Sequence, residues 1–374
     1  MSAGPTRVGS VSPAAATYAA AGVDVEAGER AVALMRSAIA RAQRPEVVGG
    51  VGGFAGLFDA SALARFRRPL LATSTDGVGT KVDVARRMGV HDTIGIDLVA
   101  MVVDDLVVCG AEPLFLTDYI AVGRVVPERV AAIVTGIAEG CRRAGVALVG
   151  GETAEHPGLL EPDEYDVAGA GTGVVEADAL LGPDRVRAGD VLVAMAASGL
   201  HSNGYSLARH VLFDRAGWAL DRHVPELGRA LGEELLEPTR VYALDALDLI
   251  DGGGVHAVAH ITGGGIAANV ARVLPPGLHG EIARATWTPP AIFDLIGELG
   301  EVSLVERERT FNEGLGMVAV MDPGHVADGV RRLAARGVPA WVCGGVRAAR
   351  GGDVSDSAAK GGSGGTVSLM GEHP

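Results

Sequence analysis

The chain has little cysteine, and it has no long run of apolar residues. Cys109, Cys141 and Cys343 lie far apart among 374 residues, and none belongs to a CxxC pair or has a histidine beside it at metal-ligand spacing. This pattern excludes a disulfide framework and a zinc ribbon, and it predicts free buried thiols in a reducing compartment. No stretch of about 18 uncharged apolar residues occurs, so the sequence predicts no membrane span.

The chain also lacks an excess of positive charge and a recognisable secretion signal. Lys and Arg total 32 against 46 for Asp and Glu, which gives a formal net charge of −14. Without a long basic run, the sequence excludes nucleic acid as a partner. The start, MSAGPTRVGSVSPAAATYAAAG, is broken by Pro, Ser and Thr and lacks the continuous apolar core of a signal peptide. These absences predict a cytoplasmic protein.

Apolar residues and glycine are abundant. Hydrophobic residues make up 48% of the chain, enough for the core of a two- or three-domain protein. The 55 glycines are roughly twice the usual share of a globular protein. Some of them fall in the small, polar segment from Ala349 onward, for which we expect disorder, and the others cluster in short loops.

Helical and strand patterns alternate along both halves of the chain. The apolar spacing predicts helices at 26–44, 94–109 and from Pro127, and strands at 69–75, 113–122, 147–151 and 165–176, with further alternation after residue 190. The mixture predicts an α/β (α+β) architecture in two domains with a boundary near 177–189.

The predicted helix GIDLVAMVVDDLVV (95–108) carries three aspartates among apolar residues. Asp97 and Asp104 are seven residues apart and share a face, and Asp105 is turned by roughly a quarter of a circle. Either this face is exposed to solvent, or the carboxylates bind cations in a wet pocket. Because few other polar residues are present and an unpaired buried carboxylate is costly, the pattern favours a pocket for Mg²⁺.

Two glycine-rich segments are candidate phosphate sites. In STDGVGTK (74–81) a strand ends at Asp76 and leads to Lys81, which suits metal and phosphate contacts, although a simple tight turn gives the same pattern. VGGVGGFAG (48–56) offers backbone amides to a phosphate and is interpreted as a lid over ATP. Its GxGxxA spacing, with Asp76 beyond it, leaves a dinucleotide-binding fold as an alternative.

Three later loops add polar side chains at the ends of predicted strands. GGETAEHPG (150–158) carries Glu152 and Thr153, and SGLHSNGYS (198–206) carries His201 as an acid, base or phosphate ligand. HITGGGIAANV (260–270) directs backbone amides of a helix start towards an anion. Each also has an ordinary interpretation: a solvated acid, a helix cap, and a glycine hinge beside a core histidine at 260.

In this order, the segments resemble the phosphoribosylformylglycinamidine cyclo-ligase family, also called aminoimidazole ribonucleotide synthetases, of purine biosynthesis. The resemblance runs from about Thr17 to Met317 and rests on TYAAAGVDVEAGE, RPEVVGGVGGF, TDGVGTK, HDTIGIDLVAMVVDDLVVCGAEPLF, LVGGETAE, YDVAG, SGLHSNGYSL, HAVAHITGGG and RTFNEGLGM. Many long motifs in one order make it specific.

The resemblance implies that ATP phosphorylates the formyl oxygen of formylglycinamidine ribonucleotide, that the imidazole ring then closes, and that ADP and phosphate are released. A related small-molecule kinase, an NAD-dependent dehydrogenase and a non-catalytic binding module are the alternatives.

The resemblance also implies a homodimer in which N-terminal domains pair through a β-barrel. The expected divisions are a disordered extension at 1–16, an ATP-binding and dimerisation domain at 17–178, a C-terminal α/β domain at 179–348 and a disordered tail at 349–374.

The resemblance also implies the roles of individual residues. The expected metal ligands, for Mg²⁺, are Asp76, Asp97, Asp105 and Glu152. The expected nucleotide and phosphate contacts are Gly52, Gly53, Phe54, Asp76, Gly77, Thr80, Lys81 and Thr153. The expected substrate contacts are His201, Ser202, Asn203, Gly263, Gly264 and Gly265, with Lys81, Asp105 and His201 as catalytic residues. Two positions depart from the family pattern, since Asp104 replaces a common asparagine and Glu313 replaces an apolar or small residue.

Overall fold

The computed structural model describes residues 24–50, 53–353, 355–356 and 364–374. Its helices are α1 (Val25–Arg41), α2 (Lys81–Met88), α3 (Thr93–Val107), α4 (Pro127–Ala144), α5 (Tyr205–Arg209), α6 (Leu231–Leu235), α7 (Ala243–Asp251), α8 (Gly265–Val273), α9 (Ala291–Gly300), α10 (Leu304–Thr310) and α11 (Val326–Ala335). Its strands are β1 (Val47–Val48), β2 (Leu57–Phe58), β3 (Pro69–Gly77), β4 (Glu112–Val122), β5 (Ala147–Glu155), β6 (Tyr165–Glu176), β7 (Val191–Ala196), β8 (His223–Val224), β9 (Arg229–Ala230), β10 (Val255–His260), β11 (Leu278–Ala283), β12 (Leu315–Met321), β13 (Ala340–Ala348) and β14 (Thr366–Met370).

The first domain is built on a four-stranded sheet in the order β3-β6-β4-β5. Strand β6 is antiparallel to both β3 and β4, and β5 runs parallel to β4. Helix α3 packs across β3 and β6, α4 packs on α3, and α1 packs on α4. A Cβ added at Gly171 of β6 would lie 2.8 Å from Cγ1 of Val102, so glycine at this position lets α3 approach the sheet closely.

The outer face of this sheet carries exposed apolar side chains. Residues of β3 alternate between exposed and partly buried, as expected for a strand with one covered face. On the outer face Leu71 is 65% exposed and Tyr119 is 42% exposed.

The second domain is built on a six-stranded sheet in the order β10-β12-β7-β13-β11-β14. Neighbouring strands are antiparallel except for β11 and β14, which run parallel. Every residue of β12 is buried, which fits its continuous apolar sequence LGMVAVM. Helix α8 packs on β10 and β14, and its apolar residues share a core with the sheet. Both domains therefore mix helices and strands, in agreement with the predicted α/β (α+β) class.

A short connection of chain separates the two sheets. The first sheet ends with β6 at Glu176, and the second begins with β7 at Val191. Short 3-10 turns at Ala177–Ala179 and Pro183–Arg185 connect them. Across the described residues, no helix combines the length and the apolar character that crossing a bilayer requires.

The prediction of a disordered tail is wrong for its last part. Strand β14 joins the edge of the second sheet, with Thr366 paired to His279 and Met370 paired to Ala283. Beyond it, the His373 ring packs edge-on to Trp287 with centroids 4.7 Å apart. The glycine- and serine-rich composition before residue 366 concealed a short alternating strand whose partner is distant in sequence. Residues 357–363, like the predicted extension at 1–16, lie outside the described residues.

Candidate active site

A cavity of about 720 Å³ lies where the two domains meet, and we call it the junction cavity. Its wall includes Asp76, Gly77 and Thr80 from the first domain, Met101 from α3, and Ser202, Asn203 and Thr310 from the second domain. The structure thus brings the TDGVGT segment and the HSNG segment together. Residues more than 120 positions apart in sequence line one space.

The TDGVGTK segment holds its shape through local hydrogen bonds. The Asp76 Oδ1 accepts a hydrogen bond from the Gly77 amide at 2.7 Å, at the end of β3. The Ser202 hydroxyl donates to the Val78 carbonyl oxygen at 2.6 Å, which joins the two loops across the domain boundary. Helix α2 then begins at Lys81, whose side chain turns inward rather than to solvent.

Lys81 and Asp97 form a buried ion pair beneath the junction cavity. Both side chains are 0% exposed, and the Lys81 Nζ lies 2.9 Å from the Asp97 Oδ1. Burial lowers the pKa of Lys81, and the charge and hydrogen bond of Asp97 oppose that shift. The cation that balances the buried charge of Asp97 in this apolar helix is thus a lysine 16 residues earlier in the chain. Asp97, expected to bind metal, and Lys81, expected to contact phosphate, both lie enclosed in the protein.

The same ion pair ties the second domain to the first. The Lys81 Nζ donates to the carbonyl oxygens of His201, at 3.0 Å, and Glu237, at 2.6 Å. The Asp97 Oδ1 accepts from the Thr239 amide at 2.7 Å and from its hydroxyl at 2.6 Å. A charged pair at the end of one domain therefore positions two loops of the other.

Asp104 and Asp105 are adjacent in α3 but lie in different surroundings. Asp104 is enclosed and accepts from the Tyr242 amide at 3.0 Å, and burial raises its pKa to about 7. The Asp105 side chain is 41% exposed, and its Oδ1 lies 2.8 Å from the Nδ1 of His260. Asp104 therefore anchors the second domain. Asp105 is accessible and lies one helical turn after Met101, on the same side of α3.

His260, at the end of β10, is a site residue that the sequence interpretation left as an ordinary core histidine. Burial opposes its charged form, but the hydrogen bond and charge of Asp105 and the charges of Asp104 and Asp76 outweigh burial, so its pKa is raised. Its Nε2 is buried and has no hydrogen-bond partner among the described residues. The signal in the sequence was its position directly before a glycine-rich turn.

His201 is buried behind the cavity wall rather than lining it. Its backbone has φ of 62°, a left-handed conformation that costs energy for a residue other than glycine. Its Nε2 accepts from the Ser198 amide at 3.1 Å, so in the neutral ring the proton is on Nδ1. Burial lowers the pKa of His201 well below its usual value, which keeps the ring neutral.

The predicted glycine turn lies beside the HSNG loop. A Cβ added at Gly263 would lie 3.3 Å from the Oδ1 of Asn203. The Asn269 side chain donates to the Gly265 carbonyl oxygen at 2.8 Å, and Gly264 directly precedes the start of α8. The structure therefore brings Asn203 and the three glycines close together.

A second cavity, of about 660 Å³, lies between α1, the glycine-rich segment and the central parts of β4 and β5, and we call it the loop cavity. Its wall includes Gly53, Phe54, Asp118, Glu152 and Thr153. Of the predicted nucleotide and metal residues, some thus line the junction cavity and others the loop cavity, whereas Lys81, Asp97 and Asp105 line neither. Gly52 lies outside the described residues.

Glu152 and Asp76 lie on opposite edges of the four-stranded sheet. Asp76 of β3 pairs with Gly169, which pairs with Asp118 of β4, which pairs with Gly151 of β5. Three strand spacings correspond to about 14 Å. One ion cannot take both carboxylates from one chain, because Mg²⁺ binds oxygen at about 2.1 Å. Among the described residues, no three His, Cys, Asp or Glu side chains form a cluster that could hold a metal ion.

The dinucleotide-binding alternative is wrong. That fold needs a strand, a glycine turn and a helix in succession within a parallel sheet. The glycine-rich segment instead follows the two-residue strand β1, which pairs antiparallel with β2. Asp76 ends a strand whose neighbour β6 is antiparallel. The GxGxxA spacing therefore belongs to the connection between two antiparallel strands, not to a dinucleotide-binding turn.

Glu313 departs from the family pattern and is wholly buried in the second domain. Neither carboxylate oxygen has a hydrogen-bond partner among the described residues, and the guanidinium of Arg307 lies 3.8 Å away. Burial raises the pKa of Glu313 to about 8, although Arg307 opposes that shift. Glu313 is absent from the walls of both cavities.

Comparison with known proteins agrees with these observations. Residues 58–175 match the family model "AIR synthase related protein, N-terminal domain", and residues 187–357 match the corresponding C-terminal domain. A phosphoribosylformylglycinamidine cyclo-ligase from Geobacillus kaustophilus (strain HTA426) is 50% identical over 91% of this chain and 98% of its own. One from Anaeromyxobacter sp. (strain Fw109-5) is 53% identical over 88% and 95% of the two chains.

Solved structures of more distant proteins share the fold. Thiamine-monophosphate kinase from Stenotrophomonas maltophilia K279a matches with a TM-score of 0.63 and 18% identity, over 91% of this chain and 97% of its own. The hydrogenase maturation protein HypE in complex with ATP matches with a TM-score of 0.56 and 18% identity, over 86% of each chain. Both domain models and relatives of about 50% identity over nearly the whole length lead to one conclusion: this chain belongs to the phosphoribosylformylglycinamidine cyclo-ligase family.

Proposed function

We propose that the chain is an ATP-dependent cyclo-ligase of purine biosynthesis. It converts formylglycinamidine ribonucleotide and ATP into 5-aminoimidazole ribonucleotide, ADP and phosphate. The relatives that share about half of its residues carry the name of this activity. The structural observation that carries the proposal is the junction cavity, which combines the acidic TDGVGT loop with the HSNG loop.

The chemistry requires that a poor leaving group become a good one. The oxygen of the formyl amide does not leave as oxide or hydroxide, but it leaves as phosphate once the terminal phosphoryl group of ATP is attached to it. The ribosyl-bearing nitrogen then attacks the activated carbon, and a C–N bond replaces the C–O bond as the ring closes. Splitting one difficult step into two in this way lowers each barrier.

Asp76 and Asp105 are the carboxylates proposed to hold Mg²⁺. The charges of both raise the pKa of the same imidazole, that of His260, which supports a site where the two carboxylates are within electrostatic range of each other, and Asp76 lines the junction cavity. Two carboxylates fit this ion, because Mg²⁺ in nucleotide enzymes takes one or two of them together with phosphate oxygens and water. Bound Mg²⁺ supplies neutralisation of charge on the transferring phosphoryl group.

The remaining candidate residues take positioning and binding roles in this proposal. Thr80 and Gly77 lie in the cavity wall beside Asp76 and contact phosphate, and Ser202 and Asn203 face them and orient the ribonucleotide. The glycines at 263–265 offer backbone amides to its phosphate. His201 fixes the HSNG loop through its strained backbone, while Lys81 and Asp97 hold that loop from below.

Residues of the loop cavity contact the nucleotide in this proposal. Gly53 and Phe54 form part of the lid, and Phe54 is fully exposed at its tip. Thr153 lies beside Glu152, whose Oε1 accepts a hydrogen bond from the Thr153 amide at 2.9 Å. Because Glu152 is about 14 Å from Asp76 within one chain, it belongs to the other end of the nucleotide or to the site of a partner chain.

A homodimer formed through the outer face of the four-stranded sheet accompanies this proposal. The exposed Leu71 and Tyr119 supply apolar surface on that face. Exposed apolar patches of this kind favour association. The family resemblance supports the same surface, since it implies a barrel made from two N-terminal domains.

The proposed activity is tested by measuring all products of one reaction. With formylglycinamidine ribonucleotide and ATP·Mg²⁺, we expect ADP, inorganic phosphate and the aromatic amine of aminoimidazole ribonucleotide in a 1:1:1 ratio. A related small-molecule kinase would release ADP without free phosphate, because the phosphoryl group stays on its product. ADP without phosphate, or no turnover, would reject the proposal.

A further inference from the structure

The loop cavity contains an acidic side chain without an assigned role. Asp118 lies on β4 between Leu116 and Ile120, and its side chain is on the same, helix-covered face of the sheet as theirs. Its carboxyl group has no hydrogen-bond partner among the described residues. Burial alone raises the pKa of this carboxyl to about 7.

The local sequence makes room for this carboxyl. A Cβ added at Gly151 of the neighbouring strand would lie only 2.1 Å from the Oδ1 of Asp118. Any residue other than glycine would therefore displace the acid. Burying a carboxyl without a partner costs several kcal/mol, and an apolar residue of similar size would remove that cost. In a cavity wall, such a carboxyl is available to water or to a bound ligand as its hydrogen-bond partner.

The cavity has the size and lining of a site for a flat heterocycle. Its volume of about 660 Å³ lies within the usual range for small-molecule sites. The apolar part of its wall consists of Ala31, Val32, Met35, Ile39, Val134 and Leu148. A wall that joins this apolar surface to a few polar side chains, Asp118 among them, suits a ring that is hydrophobic on its faces and forms hydrogen bonds at one edge.

We propose that Asp118 recognises the hydrogen-bonding edge of the adenine ring of ATP in the loop cavity. This inference rests on the proposed function, which makes ATP a substrate. Adenine presents the N6 amino group as a donor and N1 as an acceptor. A carboxyl group that carries one proton accepts from N6 and donates to N1, so both polar positions of the edge are satisfied.

The test compares two substitutions at this position. In Asp118→Leu we expect the KM for ATP to rise by roughly ten- to a hundredfold. This is the usual cost of losing the hydrogen bonds that the carboxyl group would make with the adenine edge. The kcat and the KM for formylglycinamidine ribonucleotide stay unchanged. Asp118→Asn keeps an acceptor and a donor in the same geometry, so its KM for ATP stays within about threefold of the original value. Isothermal titration with a non-hydrolysable ATP analogue measures binding without turnover.

Glu313→Met is the matched control, because it also removes a buried carboxyl but lies outside both cavities. It is expected to leave the KM for ATP unchanged, and both apolar variants are expected to keep or raise the thermal midpoint. The inference would be overturned if Asp118→Leu left the affinity for ATP unchanged, or if it weakened the binding of both substrates equally. Turnover by the unmodified protein would still uphold the proposed function in that case. Tight ATP-analogue binding that depends on Asp118, in a chain without cyclo-ligase turnover, would instead reject the function alone.

Discussion

Asp97→Ala is expected to lower the free energy of unfolding by about 3–5 kcal/mol, the usual cost of breaking a buried ion pair on one side. The substitution leaves the Lys81 ammonium enclosed without its anion. It also removes the acceptor of two hydrogen bonds from Thr239, so the first domain loses a direct tie to the second. Urea denaturation of the purified protein, monitored by circular dichroism, measures the change.

The double substitution Lys81→Met with Asp97→Leu is the matched control. Because both charges are removed, most of the lost stability should return. Because this double variant also lacks the Lys81 ammonium, the hydrogen bonds to the His201 and Glu237 carbonyl oxygens are lost, and the KM for the ribonucleotide should rise. The loss in Asp97→Ala should be the same with and without Mg²⁺. A loss below about 1 kcal/mol, or one seen only when Mg²⁺ is present, would show that Asp97 serves a metal instead of Lys81.

Asp105→Asn is expected to reduce kcat/KM at least a hundredfold, equivalent to about 3 kcal/mol of transition-state stabilisation. Asparagine keeps the size of the side chain but removes the negative charge that faces His260 and the proposed metal. The fold should be intact, since the Asp105 side chain is half exposed and is not part of the buried pair. Steady-state kinetics over a range of Mg²⁺ concentrations measures the effect, and size-exclusion chromatography checks that the assembly is unchanged.

The adjacent acid provides the control for this experiment. Asp104→Asn removes a carboxyl that burial already brings to a pKa of about 7, and the amide oxygen still accepts from the Tyr242 amide. Its activity is expected to stay within about threefold of the original, with equal or greater stability. If the two substitutions proved equally harmful, or if Asp105→Asn kept most of its activity, the assignment of Asp105 to the proposed Mg²⁺ would fail.

Much of the fold was predictable because the local patterns were strong. Helix α4 begins at Pro127 as expected from the proline, and β6 covers the whole segment predicted at 165–176. The order of strands was not predictable, since it depends on which distant segments pair. Strand β14 was missed for the same reason: five residues with a weak pattern become a strand only because β11 offers an edge.

The candidate site was predictable in its residue types but not in its contacts. The sequence indicated a cation near the aspartates of α3, and the structure provides Lys81, whose position follows from the packing of α2 on α3. His260 and Asp118 were missed because a single histidine or aspartate in a strand carries no periodic signal. Their importance depends on their surroundings, the contact of His260 with Asp105 and the burial of Asp118 in a cavity wall, which only the three-dimensional structure reveals.

The most direct test of the account follows one oxygen atom. Formylglycinamidine ribonucleotide labelled with ¹⁸O in the formyl group is converted by the enzyme with unlabelled ATP, and the released phosphate is analysed by mass spectrometry. If the formyl oxygen is phosphorylated and leaves as phosphate, each phosphate carries one ¹⁸O atom. Phosphate without the label, formed alongside aminoimidazole ribonucleotide, would contradict the account.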